Sequence, residues 1–473
     1  MANWQAFGAY LVLGLAWASF LIIVARNMVS LVQLLGAVRV FRSRLRPTRA
    51  AQTLWTRQAD CVPPLTIIAP AYNEELSIVA NVRSLLALEY PEHEVIVVND
   101  GSSDSTLSRL IEGFNLEKVE RRQVAALQTR AILGVYASDR FPNLTVVDKE
   151  NGRKADAANA GIGFALTPLI CVIDADSIIE SDGLLRATEP FMMDDGSLVA
   201  VGGAIRIVNG CKVRGGSLQE IGISTNWLAR FQIVEYLRAF LTARVANAHV
   251  NALLLISGAF GVFDRRTVVE IGGYRHDTVG EDLELVVRIH RHMREQERNY
   301  RIEFIPEIVC WTEAPVTLAG LKNQRARWQQ GALETLVSHR RMLGNPRFGR
   351  IGVAALPHIV LEDVIGPPAE LIGYLVIPVA WALGLLNPQI ALGYLSLTFL
   401  FGTALSLGTL ALEETQLRRT PSAKQLAILM GAAVLENFGF RQAVLVFRLI
   451  GIKRFLRKET AWSSVPRLGF NSD

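Results

Sequence analysis

Two aspartates at the end of an apolar run have the residue type and the spacing of a metal-binding site. The stretch Leu169–Ser177 reads LICVIDADS, so one alanine separates Asp174 from Asp176. In an extended segment, side chains at positions i and i+2 point to the same face, and the two carboxylates would repel each other. A divalent cation such as Mg²⁺ or Mn²⁺ removes this repulsion, because it binds carboxylate oxygens and keeps other coordination positions open for phosphate. A helix N-cap or a solvated turn is the structural alternative.

Short apolar segments, each followed by polar residues, would position these acids. They are rich in β-branched residues and alternate with stretches of helical character: Leu65–Pro70, Glu94–Asp100, Leu144–Lys149 and Leu169–Asp176. This alternation predicts an α/β domain with a mainly parallel sheet and helices on both faces. Ligands of such sheets bind beyond the carboxyl ends of the strands. The polar stretches AYNEE, NDGSSD, DKENGRK and DADS would therefore converge on one crevice.

Residues at these strand ends could bind parts of a nucleotide. Tyr72 could stack on a flat base, or serve as a structural tyrosine at a turn. Asp100 is followed by a glycine and two serines, so it could accept hydrogen bonds from a base imide or a ribose hydroxyl, or form an Asx-turn or a helix cap. Lys154 could contact a diphosphate as a point charge, or lie solvated on the surface.

The composition indicates membrane segments, because 50% of the 473 residues are hydrophobic, too large a share for an ordinary soluble enzyme. Phe7–Ala25 is uncharged and long enough to cross a hydrocarbon core. Further spans are predicted at Glu370–Leu386 and Ile390–Leu412. The predicted division is an N-terminal transmembrane anchor with a basic juxtamembrane segment (1–50), a cytoplasmic domain (51–349), and interfacial helices with a C-terminal transmembrane region (350–473).

Lysine and arginine clusters beside the apolar runs predict the orientation. Placed in the cytoplasm, they put the N-terminus outside and the central domain inside a multi-pass protein of the inner (plasma) membrane. Glu362 and Asp363 are expensive in lipid, so Gly352–Val364 is predicted to be interfacial. For Leu426–Ile452 we favour a re-entrant or interfacial pair of helices hinged near Gly439, with a simple fourth span as the alternative.

The net charge indicates which partners the protein binds, and the cysteines indicate its redox compartment. The formal net charge of +5 comes with basic residues that lie beside the membrane segments, which favours membrane lipid as a partner over nucleic acid. The four cysteines have no CxxC spacing, which indicates a reduced compartment and no zinc site.

A series of motifs runs from Leu65 to Gly331: APAYNEE, VVNDGSSD, GRKADAANAG, DADS, SGAFGVFDRR, GEDLEL and QRARWQQG. Any one of them is a weak signal, but in this order and spacing they resemble the family 2 glycosyltransferases. The resemblance is to the membrane-integrated, processive-type enzymes akin to cellulose, hyaluronan and poly-N-acetylglucosamine synthases. It implies a glycosyltransferase-A (Rossmann-like) domain flanked by transmembrane and interfacial helices.

The resemblance also implies roles for residues on the donor side. Uridine would be held by Tyr72 and Asp100, with Glu74 as a further nucleotide-binding candidate. The diphosphate would be contacted by Lys154, and the bridging metal, Mg²⁺ or Mn²⁺, would be bound by Asp174 and Asp176.

On the acceptor side, the resemblance makes Asp282 the general base that deprotonates the acceptor hydroxyl. An acid at the start of a helix can also be purely structural, because it interacts favourably with the helix dipole. Gln324, Arg327 and Trp328 would line the acceptor and pyrophosphate site. On a helix they fall on one face, while Arg325 is predicted to point elsewhere.

Two expectations concern residues outside these motifs. Trp311 in CWTEAP belongs either to the acceptor surface or to the core. His290 and His292 lie two apart on a predicted helix, so they do not share a ligand face and are predicted to be surface residues.

The expected function is an inverting, metal-dependent transfer of a sugar from a UDP-sugar to a growing polysaccharide at the cytoplasmic face, with N-acetylglucosamine as the preferred donor sugar by resemblance. One alternative is the addition of a single sugar to a lipid or polyprenyl-phosphate acceptor. Another is a non-enzymatic, nucleotide-sugar-binding membrane subunit. Because the membrane part is short, a channel for a glycan could need a partner subunit or a homo-oligomer.

Overall fold

The computed structural model describes residues 2–44, 59–174, 177–385, 387–417, 420 and 422–459. These residues form two compact units. The sheet unit takes its described residues from Ser43–Thr225 and Asn247–Ala314, and the helical unit takes them from Met1–Arg42, Asn226–Ala246 and Pro315–Val465. The division at residues 50 and 349 stays a prediction.

The sheet unit is built on a mixed β-sheet. Its strands in chain order are β1 (Leu65–Ala71), β2 (His93–Asp100), β3 (Glu117–Val119), β4 (Ile132–Ser138), β5 (Phe141–Lys149), β6 (Leu169–Ile173), β7 (Ile178–Ile179), β8 (Leu198–Ile207), β9 (Lys212–Arg214), β10 (Ser217–Glu220), β11 (Phe260–Asp264) and β12 (Arg301–Thr312). Among the described residues, the strand order is β3-β4-β5-β2-β1-β6-β11-β8-β12-β7, while β9 and β10 pair separately.

The segments predicted to be strands are confirmed as β1, β2, β5 and β6. They lie side by side and run parallel, so their carboxyl ends meet at one edge. The pairs of β11 with β6 and β8 are antiparallel, and the pair of β8 with β12 is parallel. Strand β6 is buried along its whole length, as expected for a strand covered on both faces. The predicted α/β fold with a mainly parallel sheet is confirmed.

Helices connect and cover these strands. In chain order they are α1 (Ala2–Arg44), α2 (Ile78–Leu86), α3 (Thr106–Phe114), α4 (Arg153–Phe164), α5 (Gly183–Met192), α6 (Trp227–Arg238), α7 (Val245–His249), α8 (Arg265–Glu270), α9 (Glu281–Glu295), α10 (Leu318–Ser338), α11 (Leu356–Ile359), α12 (Gly366–Ala382), α13 (Pro388–Gln416), α14 (Ala423–Leu435) and α15 (Phe440–Leu456). Tighter 3₁₀ turns occur at Ala59–Cys61, Arg340–Met342 and Pro346–Phe348, and wider π-helical segments at Ala239–Arg244, Ile351–Ala355 and Val360–Ile365.

Small residues let helix α4 pack close to the sheet. A Cβ atom added to Gly161 would lie only 2.4 Å from Cγ2 of Ile68, so a larger residue would push the helix away from strand β1. The helix begins at Arg153, shortly after strand β5 ends. This packing places the first turn of α4, with Lys154, at the edge where the parallel strands end.

The helical unit contains long apolar helices. Within the described residues, three of them are long and apolar enough to cross a membrane: Phe7–Ser43, Ile351–Ala382 and Ala391–Gln416. The shorter helices α14 and α15 are joined near Gly439, which has a φ of +92°, a left-handed conformation that glycine adopts readily. A pair of helices hinged near Gly439 is therefore confirmed, and its re-entrant or interfacial placement stays a prediction.

The acids that are expensive in lipid have arginine partners in the helical unit. Glu362 lies 2.9 Å from Arg26, which also lies 3.1 Å from Glu370. Asp363 lies 2.7 Å from Arg448 of α15. Pairing of this kind is the usual arrangement of charged groups among apolar helices, because it offsets the cost of removing them from water.

The structure corrects the prediction for His290. This side chain is 0% exposed, and its two ring nitrogens each lie 2.7 Å from an oxygen, of the Tyr300 hydroxyl and of the Leu253 carbonyl. Helix geometry explains the burial, because His290 lies three residues before the buried Met293 on the core face of α9. Burial lowers the pKa of His290 to about 4. His292 is partly exposed.

Trp311 belongs to the core. It is 1% exposed, and its indole Nε1–H donates to Oε1 of Glu180 at 2.6 Å. Of the two predicted places for Trp311, the acceptor surface and the core, the structure therefore supports the core.

Candidate active site

The turns that follow β1 and β2 are hydrogen-bonded to each other. Asn73 has a φ of +56°, and its backbone N–H donates to Oγ of Ser102 at 3.0 Å. Its side-chain oxygen accepts from the backbone N–H of Ser103 at 2.8 Å. The adjacent Tyr72 is 52% exposed. Its ring is therefore available for stacking on a planar group.

Glu74 is fixed within the same pair of turns. Its backbone N–H donates to Oγ1 of Thr106 at 2.8 Å, and its carboxylate accepts from Oγ of Ser77 at 3.1 Å. These contacts give Glu74 a structural role at the start of helix α2. Its binding of a nucleotide stays a prediction.

Asp100 at the end of β2 is paired with a buried lysine. In the parallel register of β2 and β5, Asp100 lies opposite Lys149, whose Nζ is 2.7 Å from Oδ1 of Asp100 and 2.6 Å from Oδ1 of Asp156. The backbone N–H of Gly152 also donates to Oδ1 of Asp100 at 2.9 Å. Lys149 is 0% exposed, so its charge serves these carboxylates rather than solvent.

We expect Lys149→Met to destabilise the protein by about 3 to 5 kcal/mol, because it leaves two buried carboxylates without their cation. Thermal and chemical denaturation of the detergent-solubilised full chain would measure the change. The matched control is Lys118→Met, since Lys118 lies on the surface and donates only to the Leu133 carbonyl among the contacts described. Equal stability losses in the two variants would contradict the role of Lys149.

A second charged cluster lies at the end of β6 and the start of α4. Nζ of Lys154 is 2.5 Å from Oδ1 of Asp174 and 3.8 Å from Oε1 of Glu281. Burial alone would lower the pKa of Lys154, but the carboxylates of Asp174 and Glu281 outweigh it, and the pKa is raised. Lys154 is therefore a firmly protonated cation surrounded by acids.

The backbone of Gly258 connects this cluster to Asp282. The carbonyl oxygen of Gly258 accepts from Nζ of Lys154 at 2.9 Å, and its N–H donates to Oδ2 of Asp282 at 3.1 Å. Oδ1 of Asp282 accepts from the backbone N–H of Leu283 at 2.8 Å. Both carboxylate oxygens are thus oriented by backbone donors at the start of α9.

Helix α4 links the two charged clusters. Asp156 on this helix binds Lys149, and Lys154, half a turn earlier, binds Asp174. The structure therefore brings together residues from the ends of β2, β5 and β6 and from the start of α4, as the strand pattern predicted, and adds residues from the start of α9, which the strand pattern did not predict.

The pair of aspartates predicted to bind a metal is described only in part. Asp174 has a side chain that is 30% exposed, while Asp176 lies outside the described residues. Within the described ranges, no group of three or more His, Cys, Asp or Glu residues is placed to hold a metal ion. The acids that surround Lys154 supply hard oxygen donors, the type that Mg²⁺ and Mn²⁺ prefer.

The sequence reasoning missed Tyr274 as part of this region. Burial raises the pKa of the Tyr274 hydroxyl well above its usual value, with Glu281 and Asp282 adding to the effect. Its backbone N–H donates to Oδ1 of Asn159 at 2.7 Å, and the Asn159 amide donates back to its carbonyl at 2.9 Å. The sequence signal that could have indicated a tight turn here is the pair of glycines before Tyr274. In the structure, Gly273 of this pair has a φ of +71°.

The residues of the QxxRW motif belong to helix α10 in the helical unit. Trp328 is 43% exposed. The guanidinium of Arg325 lies 4.3 Å from the centre of the Trp328 ring and 2.8 Å from the carboxylate of Glu235. The prediction that Arg325 points elsewhere is wrong, because positions 325 and 328 are three apart and adjacent on a helix.

The sequence profile of a family described as "Glycosyltransferase like family 2" matches residues 63–331, which is more than half of the chain. This chain belongs to that family. The matched range contains the turns after β1 and β2, both charged clusters and the QxxRW motif. The predicted family is therefore confirmed.

This glycosyltransferase is similar to two curated relatives named poly-beta-1,6-N-acetyl-D-glucosamine synthase. It is 30% identical to the one from Staphylococcus aureus over 279 residues, which cover 59% of this chain and 57% of the relative. It is 26% identical to the one from Staphylococcus epidermidis over 309 residues, which cover 65% of this chain and 64% of the relative. The match thus spans less than two thirds of either relative.

Among solved structures, this glycosyltransferase resembles a mannosyltransferase from Pyrobaculum calidifontis in complex with GDP-Man and Mn²⁺. The TM-score is 0.55 at 19% identity, and the match covers 93% of this chain and 99% of that one. This likeness supports the fold.

We expect Gly258→Ala to weaken donor binding in this glycosyltransferase. A Cβ atom at this position would lie 2.7 Å from Nζ of Lys154 and 3.6 Å from Oδ2 of Asp282, so the flexible lysine must move. The KM for the donor should rise about tenfold, the loss expected for one displaced charge-assisted contact. Steady-state kinetics would measure it, with Gly431→Ala as the control, because a Cβ there meets nothing within 4 Å. A donor KM unchanged by Gly258→Ala would contradict the role given to the backbone of Gly258.

Proposed function

We propose that this protein is an inverting, metal-dependent membrane glycosyltransferase that moves a sugar from a UDP-sugar to a growing polysaccharide. The observation that carries the proposal is the cluster in which the backbone carbonyl and N–H of Gly258 contact Lys154 and Asp282, with Asp174 paired to the same lysine. In this cluster the cation of Lys154, which can bind a leaving diphosphate, lies beside the oriented carboxylate of Asp282, which can take a proton. These are the two tasks that sugar transfer requires.

On the donor side, Tyr72 stacks on the uracil and Asp100 accepts from the base or the ribose. Asp100 suits this task because Lys149 and Gly152 hold its Oδ1 in place. Lys154 contacts the diphosphate, and its raised pKa keeps it charged.

The metal site consists of Asp174 together with Asp176. When bound, Mg²⁺ or Mn²⁺ neutralises the charge that develops on the leaving diphosphate. The Mn²⁺ in the mannosyltransferase complex supports a divalent cation here. The partly exposed carboxylate of Asp174 is accessible to such an ion.

On the acceptor side, Asp282 removes the proton of the attacking hydroxyl. Its oxygens are oriented by the N–H groups of Gly258 and Leu283, which reduces the reorganisation needed for proton transfer. The hydroxyl oxygen forms a bond to the anomeric carbon on the face opposite the diphosphate, the bond to the diphosphate breaks, and the configuration inverts. Glu281 stays beside Lys154.

Gln324, Arg327 and Trp328 of helix α10 bind the acceptor. An exposed indole such as that of Trp328 is well suited to stacking against a sugar ring. The names of the curated relatives support N-acetylglucosamine as the donor sugar and a polysaccharide as the product.

The protein is proposed to lie in the inner membrane with its sheet unit in the cytoplasm. Helices long and apolar enough to span support the membrane placement, and the basic clusters beside them support the orientation. A partner subunit or a second copy is proposed to assist export of the product.

Product length tests the proposal. The purified full chain would be given labelled UDP-N-acetylglucosamine, and in parallel other UDP-sugars, with Mg²⁺ or Mn²⁺ and native lipid. A ladder of polymer lengths is the expected result. The addition of a single sugar to a lipid would contradict polysaccharide synthesis and indicate a lipid or polyprenyl-phosphate acceptor. Binding of the UDP-sugar without any transfer would indicate a non-enzymatic subunit.

A further inference from the structure

Asp156 on helix α4 is a buried acid to which the sequence motifs assign no role. It is 5% exposed, and its Oδ1 lies 2.6 Å from Nζ of Lys149. Both of its carboxylate oxygens also accept from the backbone N–H of Arg130, at 3.2 and 3.0 Å. A buried carboxylate is costly unless it is paired and hydrogen-bonded in this way. Asp156 is therefore held in place by contacts from two other segments of the sheet unit.

Lys149 divides its contacts between Asp156 and Asp100. Its Nζ lies 2.7 Å from Oδ1 of Asp100 and donates to the carbonyl oxygen of Glu150 at 2.5 Å, in addition to its contact with Asp156. An ammonium group has three N–H donors, so these three acceptors use all of them. One buried cation thus serves two buried carboxylates, and the three side chains together carry one negative charge.

The side-chain contacts of Asp100 fall on one of its two carboxylate oxygens. Oδ1 accepts from Lys149 and from the backbone N–H of Gly152 at 2.9 Å, whereas Oδ2 accepts from none of the described residues. Oδ2 is therefore the oxygen that can accept from a base imide or a ribose hydroxyl. Its direction follows from the contacts of Oδ1, because the two oxygens belong to one rigid carboxylate.

Gly152 makes room for Asp156 beside the backbone that donates to Asp100. A Cβ atom added to Gly152 would lie only 2.4 Å from Cγ of Asp156, so the acid lies directly against this residue. Asp156 thus contacts both groups that hold Oδ1 of Asp100, the ammonium of Lys149 and the backbone of Gly152. A change at Asp156 is expected to alter the position of Asp100.

His276, in the loop before α9, lies near the second oxygen of Asp156. Oδ1 of Asn159 accepts from the backbone N–H of Tyr274 at 2.7 Å, which turns the amide nitrogen of Asn159 toward Nε2 of His276 at 3.3 Å. An amide nitrogen only donates, so Nε2 accepts and Nδ1 carries the proton. Nδ1 lies 3.6 Å from Oδ2 of Asp156, an electrostatic contact that is longer than a hydrogen bond. This loop therefore also helps to orient Asp156.

We propose that Asp156 is a positioning residue for nucleotide recognition, which shares Lys149 with Asp100 and thereby directs Oδ2 of Asp100 toward the uridine. Without the charge of Asp156, Lys149 would pair with Asp100 alone, and a fully compensated carboxylate is a weaker acceptor. This inference rests on the proposed function, since it deepens the role given there to Asp100. Lys154 contacts other groups, Gly258, Asp174 and Glu281, so the effect is confined to the nucleoside.

Calorimetric titration of the full chain in lipid nanodiscs, with UDP and with inorganic pyrophosphate at equal free Mg²⁺, tests the inference. Pyrophosphate has the two phosphates but no nucleoside, so its binding does not involve Asp100. In Asp156→Asn the dissociation constant for UDP should rise about tenfold, the loss of one charge-assisted contact, while that for pyrophosphate should stay within about twofold of wild type.

Glu94→Gln is the matched control for Asp156→Asn. Glu94 lies near the opposite end of β2 from Asp100, and it also pairs with a cation, Arg121, at 2.8 Å. This variant should bind both ligands as the wild type does. Equal UDP affinities in Asp156→Asn and Glu94→Gln would overturn the inference. Equal losses of UDP and pyrophosphate in Asp156→Asn would also overturn it, because they would indicate a general disturbance of helix α4.

His276→Ala is the second variant if Asp156→Asn does not fold. His276 is partly exposed, with 35% of its side chain accessible, and its removal leaves Lys149 in place. The dissociation constant for UDP should then rise about threefold with no change for pyrophosphate, as expected for a contact between partly exposed groups. No rise for UDP would overturn the inference. A wild-type protein that binds pyrophosphate but not UDP would instead refute the UDP-sugar donor of the proposed function, and this inference with it.

Discussion

Replacing Asp282 by asparagine should abolish sugar transfer while leaving UDP affinity nearly unchanged. Asparagine keeps the shape, and its one carbonyl oxygen can still accept from the N–H of Gly258 or from that of Leu283, which in Asp282 donate to different carboxylate oxygens, but it cannot take a proton. The kcat should fall by about 10³-fold, within the range for loss of a general base. Radiolabelled sugar incorporation would measure the rate, and calorimetric titration would measure UDP binding.

The control for this variant is an acid on the same helix. Glu295→Gln removes a carboxylate at the far end of α9, where it pairs with Arg291 on the surface at 2.8 Å. Its rate should stay within about twofold of wild type, since exposed pairs of this kind contribute little. If Asp282→Asn lost UDP affinity along with its rate, Asp282 would be a donor-binding residue and the general base would have to be sought elsewhere.

Replacing Asp174 by alanine should lower the rate of transfer by more than about 100-fold, because the change removes a proposed metal ligand and the nearest partner of Lys154. Treatment of the wild-type protein with EDTA should produce a similar loss, which Mg²⁺ or Mn²⁺ should reverse. Addition of either metal should not rescue Asp174→Ala. The rate of incorporation from a UDP-sugar over a range of metal concentrations would measure all three effects.

Asp277→Ala serves as the control for the metal-site variant. Asp277 is an exposed aspartate of the sheet unit whose carboxylate contacts Arg275 at 2.8 Å, away from Lys154 in the described contacts. Its metal dependence should match that of wild type. Full activity of the wild-type protein in EDTA would rule out the cation and with it the role of Asp174.

The sequence predicts the scaffold well because its signals are local. Each strand of the parallel core is a short β-branched run, and the polar residues that follow β1, β2, β5 and β6 lie next to them in the chain. Once those strands are parallel, their ends must share an edge. The pairing of Lys154 with Asp174 is therefore a consequence of topology that the sequence contains.

The contacts that sequence reasoning missed depend on register and packing between distant segments. Asp100 meets Lys149 only because β2 and β5 pair in one register, and a lysine at a strand end gives no sign of complete burial. The backbone N–H of Gly258, shortly before β11, donates to Asp282 in the first turn of α9. The burial of Tyr274 and His290 was missed for the same reason, because a buried polar ring needs hydrogen-bond partners from elsewhere in the chain.

Titration of UDP into the full-length protein, once with Mn²⁺ and once with EDTA, tests most directly whether the acids at the strand ends hold a cation that binds the diphosphate. Calorimetry with both conditions at the same ionic strength would give the two affinities. Tight UDP binding in Mn²⁺, weakened at least about tenfold in EDTA, is the result that the proposed site predicts. The same affinity in both conditions would contradict it, because the diphosphate would then be bound by cationic side chains such as Lys154 without a metal.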